Sequence, residues 1–132
     1  MNFLIATKKY FKNEIIINLG DNPADENNPG RIQVSKNKFI LPPKDIYHEC
    51  DPNAFINWES MDLVACKMVN VGDIITYHYG TSEDDYQIGT FKCECGYKNC
   101  VSSFQGFKYM TIIQRDQIKE KISPYLKKKY FK

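Results

Sequence analysis

Long apolar runs are missing from this sequence. A run such as Ile15-Ile16-Ile17 falls far short of the roughly 18 residues a membrane-spanning helix needs, so no span is expected. Phe3-Leu4-Ile5 is soon cut off by Lys8 and Lys9, whereas a secretory signal carries a longer apolar stretch behind its positive charges. No such signal is expected, which places the chain in the cytoplasm or nucleus with its thiols reduced. Internal repeats and low-complexity tracts are absent too, which sets repeat arrays aside. Helical periodicity is also scarce, confined to a turn near 44–48 and to 114–121, where Ile118 and Ile122 lie four apart.

What is present is a chain of 132 residues, 42% hydrophobic and 14% aromatic. That is enough for one domain with a real core, and too little for two. Short strands are expected at about 31–35, 38–41, 54–58, 62–68 and 74–79, with a hairpin over 3–19 and a Gly/Pro/Asn-rich loop at 20–30. Residues 81–87 read as an acidic loop. Many short strands and little helix predict a mainly β fold. Charge is uneven. Residues 115–132 hold seven Lys or Arg against two acids, in a chain whose formal net charge is +2. A basic segment on a mildly acidic body is therefore expected, separable from the core and able to dock acidic partners by electrostatic steering.

Cys93-x-Cys95-x4-Cys100 is a tight cluster in a chain with no expected export signal, and such clusters bind metal more often than they form disulfides. Structural zinc takes four ligands and this cluster supplies three. Cys50, Cys66, His48 and His78 are the candidates for the fourth. Cys66 sits in an alternating apolar strand, where a buried thiol is the ordinary reading. Cys50 lies in a polar turn before Asp51-Pro52-Asn53 and is the better choice on spacing.

Two further segments carry a family resemblance. Tyr47-His48-Glu49-Cys50-Asp51-Pro52-Asn53 resembles the Asn-His-Ser-Cys-x-Pro-Asn motif of SET domains, and Gly72-Asp73-Ile74-Ile75-Thr76-Tyr77-His78-Tyr79-Gly80 resembles the family's Gly-Glu-Glu-Leu-Thr-Phe-Asp-Tyr-Gly. Leu4-Ile5-Ala6-Thr7 is similar to the family's opening, and the cysteine cluster stands where a post-SET zinc module belongs. Gly106-Phe107-Lys108-Tyr109 is similar to the ending of small stand-alone SET proteins. The resemblance covers roughly residues 3–110 in order. It implies a SET-like fold of small curved sheets with a pseudoknot over 1–90, a post-SET zinc module over 91–113, and a basic tail or helix over 114–132.

The implied activity is S-adenosylmethionine-dependent methylation of a lysine in a protein or peptide substrate. The implied alternative is a catalytically inactive SET-like module that binds a peptide or protein. Nucleic acid is expected at most through the basic segment. The resemblance assigns catalysis to Tyr79, the substrate channel to Tyr77 and Phe104, cofactor contact to Tyr47 and His48, and zinc to Cys50, Cys93, Cys95 and Cys100. Three positions depart from the family. The Gly-x-Gly motif aligns with Met1-Asn2-Phe3, so Phe3 replaces the second glycine. Tyr47 replaces the Asn and Glu49 the Ser. The first two bear on the cofactor site, where a side chain at the glycine position would obstruct close backbone approach.

Overall fold

The computed structural model describes residues 3–131, so Met1 and Asn2 of the aligned glycine motif lie outside the described residues. The fold is mainly β and is built from small sheets. A three-stranded antiparallel sheet sets β6 (Asp62–Ala65) between β1 (Ile15–Asn18) and β5 (Ala54–Asn57). The central position of β6 follows from its residues: Leu63, Val64 and Ala65 are all buried, whereas the ends of β1 are exposed. β2 (Ile32–Ser35) and β3 (Lys38–Ile40) form a hairpin around the polar turn at Lys36-Asn37. β4 (Tyr47–His48) and β7 (Thr76–Tyr77) pair in parallel. β8 (Phe91–Lys92) and β9 (Ser103–Phe104) close a hairpin whose loop carries the three clustered cysteines. Among the described residues no helix is long and apolar enough to cross a membrane.

The strands expected at 31–35, 38–41 and 54–58 are present with trimmed ends, and 62–68 shortens to β6. The 3–19 hairpin does not form. Phe3 bridges Asp45, Ile5 bridges Ile74, Tyr10 bridges Val69, and β1 takes β6 as its partner. Apolar residues on both sides of a basic turn satisfied the hairpin pattern, but Ile5, Tyr10 and β1 each pair within the 62–75 segment rather than with one another. The helical turn near 44–48 is likewise absent, and its last two residues form β4.

The basic C-terminal segment is not a separable appendage. α1 (Ile112–Ile118) starts at a capping box, in which Thr111 accepts from the Gln114 N–H and Gln114 accepts from the Thr111 N–H. α2 (Pro124–Tyr130) starts at Ser123, which caps the Leu126 N–H, with Pro124 at a first-turn position that needs no amide proton. Pro124 thus begins the helix rather than breaking it. Ile118, Ile122 and Leu126 pack with Phe107 and Met110 in a second core, beside the one built on the sheets.

The loop at 81–87 also departs from expectation, because Thr81, Ser82, Glu83 and Asp84 are buried. The Glu83 carboxylate accepts from Arg31 Nε (3.1 Å), the Gln33 N–H (2.7 Å) and the Ser82 hydroxyl (2.7 Å). Asp84 accepts from Lys129 Nζ and the Tyr130 hydroxyl, both at 2.5 Å. The Glu83 and Asp84 carbonyls accept from the Phe107 and Lys108 N–H groups. Gly106, at φ 122°, lies so close that a Cβ there would run into the Asp84 carbonyl. Only glycine tolerates both the backbone angle and the approach.

Leu126 is wholly buried, so Leu126→Ala is expected to cost about 2–5 kcal/mol. Exposed Lys127→Ala and Lys128→Ala should each stay within about 0.5 kcal/mol. Urea unfolding of the three variants checks the claim. Equal, negligible effects would return the segment to the status of a solvated tail.

Candidate metal centre and aromatic site

The parallel pairing of β4 with β7 sets Tyr47 beside Thr76 and His48 beside Tyr77. Asn53 locks the flanks: its Oδ1 accepts from the Thr76 N–H (2.8 Å), its own N–H donates to Thr76 Oγ1 (3.0 Å), and its Nδ2 donates to the Ile74 carbonyl (3.0 Å). Cys50, between His48 and Asn53, is thereby held against the β8–β9 loop.

Cys50, Cys93, Cys95 and Cys100 bring their sulfurs within 4.8 Å of one another. Cys50 and Cys93 are 3.9 Å apart. A zinc–sulfur bond of about 2.3 Å in a tetrahedron sets the sulfur–sulfur edge at about 3.8 Å, whereas a disulfide needs about 2.05 Å. All five cysteines are free thiols. Backbone N–H groups aim at two of the sulfurs, Val101 at Cys50 and Ser102 at Cys100, each at 3.4 Å. Donors so placed favour thiolates. Burial pushes the Cys50 thiol far up and Cys93 up to about 12, and a bound dication reverses that preference outright. The four residues fit zinc. Cys66 stands apart, its Sγ–H donating to the Pro52 carbonyl at 3.2 Å, and it is half-buried where a buried thiol was expected.

His48, Cys50 and His78 also lie within metal-binding distance of one another, but their hydrogen bonds argue against a metal. His48 Nδ1 accepts from the Tyr79 N–H at 3.0 Å and His78 Nδ1 accepts from the Gly80 N–H at 2.9 Å. Each ring nitrogen that accepts carries no proton, so the proton of each neutral imidazole sits on Nε2 and leaves no lone pair there for a metal. Burial, then His78, holds His48 down to about 2, and burial holds His78 to about 4, so both rings are neutral near pH 7. His78, given no role by the sequence, packs edge-on against His48 with ring centroids 4.7 Å apart.

Tyr79 begins a 3-10 turn over Tyr79–Thr81, since β7 ends at Tyr77 and His78 caps the turn. The expected alternation along one strand is therefore broken, yet both tyrosines line the same cavity of about 160 Å³, with rings 5.1 Å apart. The Tyr79 hydroxyl donates to the Ile46 carbonyl at 2.5 Å. The Tyr77 hydroxyl meets Ser82 Oγ at 3.1 Å. Burial raises both phenols above their ordinary range, so both stay protonated. Phe104 is fully buried with its ring 5.9 Å from Tyr79, but it is not among the cavity-lining residues.

Phe91 and Tyr86 complete this aromatic group, at 5.7 Å and 6.3 Å from Tyr79. Sequence reading missed both, although the alternation Phe91, Cys93, Cys95 hinted at a strand entering the cysteine loop. Phe3 lines the cavity and meets Tyr47 edge-to-face at 5.0 Å. Phe3 and Tyr47, two positions where the sequence departs from the resembled motifs, therefore pack on each other.

Freshly reduced protein is expected to hold one zinc per chain by elemental analysis. Cys93→Ser should lose it and Cys66→Ser should keep it. Zinc-finger peptides gain an apparent 10–16 kcal/mol or so from metal, comparable with the roughly 5–15 kcal/mol of a whole domain, so Cys93→Ser should also lose cooperative unfolding. Because burial keeps the Cys50 and Cys93 thiols protonated without metal, loading at about pH 7 should release protons, and affinity should fall as pH falls. A zinc titration in weak buffer with a pH indicator measures this.

Comparison with known protein families and with curated proteins returned no match, so the functional reading rests on this geometry and on the sequence motifs.

Proposed function

We propose that the chain is a SET-type protein-lysine methyltransferase braced by a cysteine-bound zinc. The observation that carries this reading is the β4–β7 pairing, which sets segment 47–53 alongside segment 72–80 and both beside the cysteine loop. Three motifs separated in sequence thus meet around Tyr79. In this reading the β4–β7 crossing belongs to the SET pseudoknot and residues 91–113 to the post-SET module.

S-adenosylmethionine, when bound, would supply an electrophilic methyl, and the residues of the chain would prepare the amine. A lysine attacks only as the neutral base, and from a pKa near 10.4 its deprotonation at pH 7.4 costs about 4 kcal/mol. Ile32, Ile46 and the faces of Tyr77 and Tyr79 supply apolar wall that disfavours an ammonium. The Tyr79 phenol, already donating to Ile46, keeps its oxygen lone pairs for orienting a donor in the cavity. The Tyr77 hydroxyl adds bulk and polarity where further methyls would be accommodated.

Phe3 against Tyr47 favours a second reading. These two rings, in contact, put side chains where the resembled motifs carry a glycine and an amide. A SET-like module that keeps its scaffold and binds a peptide without methylating it is consistent with that packing.

Calorimetry with S-adenosylmethionine separates the two. Weak binding is expected of the native chain, little gain from Tyr47→Asn alone, and clear tightening from Phe3→Gly with Tyr47→Asn. Transfer to a lysine peptide at high cofactor supports the enzyme, while its absence with the peptide still bound supports the silent module. In the enzyme, Tyr79→Phe should lower the transfer rate about 100-fold or more, with zinc content and melting temperature nearly unchanged. The native product should be monomethyl-lysine, and trimethyl product in the mass spectrum would remove the role given to Tyr77.

A further inference from the structure

His48 touches both halves of the site. Its imidazole is 3% exposed, and its two nitrogens face different partners. Nδ1 accepts from the Tyr79 N–H at 3.0 Å, while Nε2 lies 3.4 Å from Cys50 Sγ. Since Nδ1 accepts, the ring proton is on Nε2, and the contact with Cys50 is an N–H···S hydrogen bond in which His48 donates. The ring is caged by His78, Tyr79, Phe91 and Phe104, with centroids 4.7–5.6 Å away. It has little freedom to satisfy one partner without holding the other.

We infer that His48 is a positioning residue that couples the metal centre to Tyr79, donating from Nε2 to the Cys50 thiolate and holding the Tyr79 backbone through Nδ1. The inference deepens the proposed function and rests on the zinc reading. It gives the His48 side chain a task separate from the cofactor contact implied by the resemblance. A thiolate on zinc keeps excess negative charge and remains a good acceptor, so metal binding strengthens the Nε2 arm. That arm fixes the tautomer, and the tautomer keeps Nδ1 free to receive the Tyr79 N–H. Tyr79 stands at the start of its 3-10 turn, and this N–H has a side-chain nitrogen as its acceptor. The phenol is therefore aimed through one hydrogen bond at its backbone and another at its hydroxyl, to Ile46.

The test reads His48 directly, without methyl transfer. In the zinc-loaded native protein, nitrogen NMR should show His48 protonated at Nε2 and bare at Nδ1. His48→Asn keeps an acceptor near the Nδ1 position and drops the arm to Cys50. It should weaken zinc retention in chelator competition by about 10–100-fold, the usual loss for a residue that orients a metal ligand, while the Tyr79 amide keeps its hydrogen-exchange protection. His48→Gln, with an amide near the Nε2 position, should show the reverse: zinc retained and the Tyr79 amide exchanging faster. Zinc bound with His48 protonated at Nδ1, or both variants holding zinc and Tyr79 like the native chain, would overturn the coupling. Should the variants fail to fold, the native nitrogen shifts alone decide it. No zinc in the native protein would remove the metal reading and this one together, whereas a failed tautomer assignment in zinc-loaded protein removes only the coupling.

Discussion

Two adjacent acids, Glu83 and Asp84, hold the molecule together. Glu83 faces β2 through Arg31 and the Gln33 backbone, and Asp84 faces α2 through Lys129 and Tyr130. Their carbonyls receive the Phe107 and Lys108 amides, and the Gln33 side chain closes back on the Asp84 N–H at 2.9 Å. Burial pushes the Glu83 carboxyl up, while its bonds from Ser82, Gln33 and Arg31 pull it down. A buried carboxylate is tolerable only when so fully partnered. This knot fixes the end of the segment that begins with Tyr77 and Tyr79, and sets where the chain leaving the cysteine loop must go. Removing Arg31 would leave the buried Glu83 carboxylate without its cation.

The cysteine cluster also leans on this segment. Cys50 is delivered by the strand that pairs with β7, and the other three sulfurs by the hairpin whose facing residues are Phe91 and Phe104. Both phenylalanines touch His48 and Tyr79. The thiols and the aromatic group therefore share walls, and the cysteine loop braces the tyrosine environment. Gln114 ties α1 to the loop as well, donating to the Cys100 carbonyl at 3.1 Å.

Local signals in the sequence were sufficient where local chemistry decides. The strands at 31–35 and 38–41, the β5 and β6 strands and the cysteine spacing could all be read directly, and Cys50 stood out from Cys66 by its polar turn. Pairing partners were less legible, because Ile15–Ile17 is equally strand-like whichever strand it meets. Glu83 and Asp84 looked like a solvated loop, because nothing in the local pattern records that Arg31, Lys129 and Tyr130 converge on them. The C-terminal helices misled for the opposite reason: their lysines advertise solvent, while Ile118, Ile122 and Leu126 fill a core. Phe3 and Tyr47 were visible as two departures from the resembled motifs, and the structure adds that their rings are in contact.

The separation of the cysteines along the chain governs how they fare while the protein is being made. Cys93, Cys95 and Cys100 are near neighbours in any conformation, but Cys50 lies 43 residues before Cys93. It reaches them only after β4 has crossed to β7, a parallel pairing that must close a long loop around β5 and β6. Such contacts form late. Until then three thiols sit close together on an unfinished chain, able to pair with one another under an oxidant. In the finished arrangement Cys50 joins them, its sulfur 3.9 Å from that of Cys93. Folding speed and the redox state of the surroundings therefore compete for the same sulfur atoms.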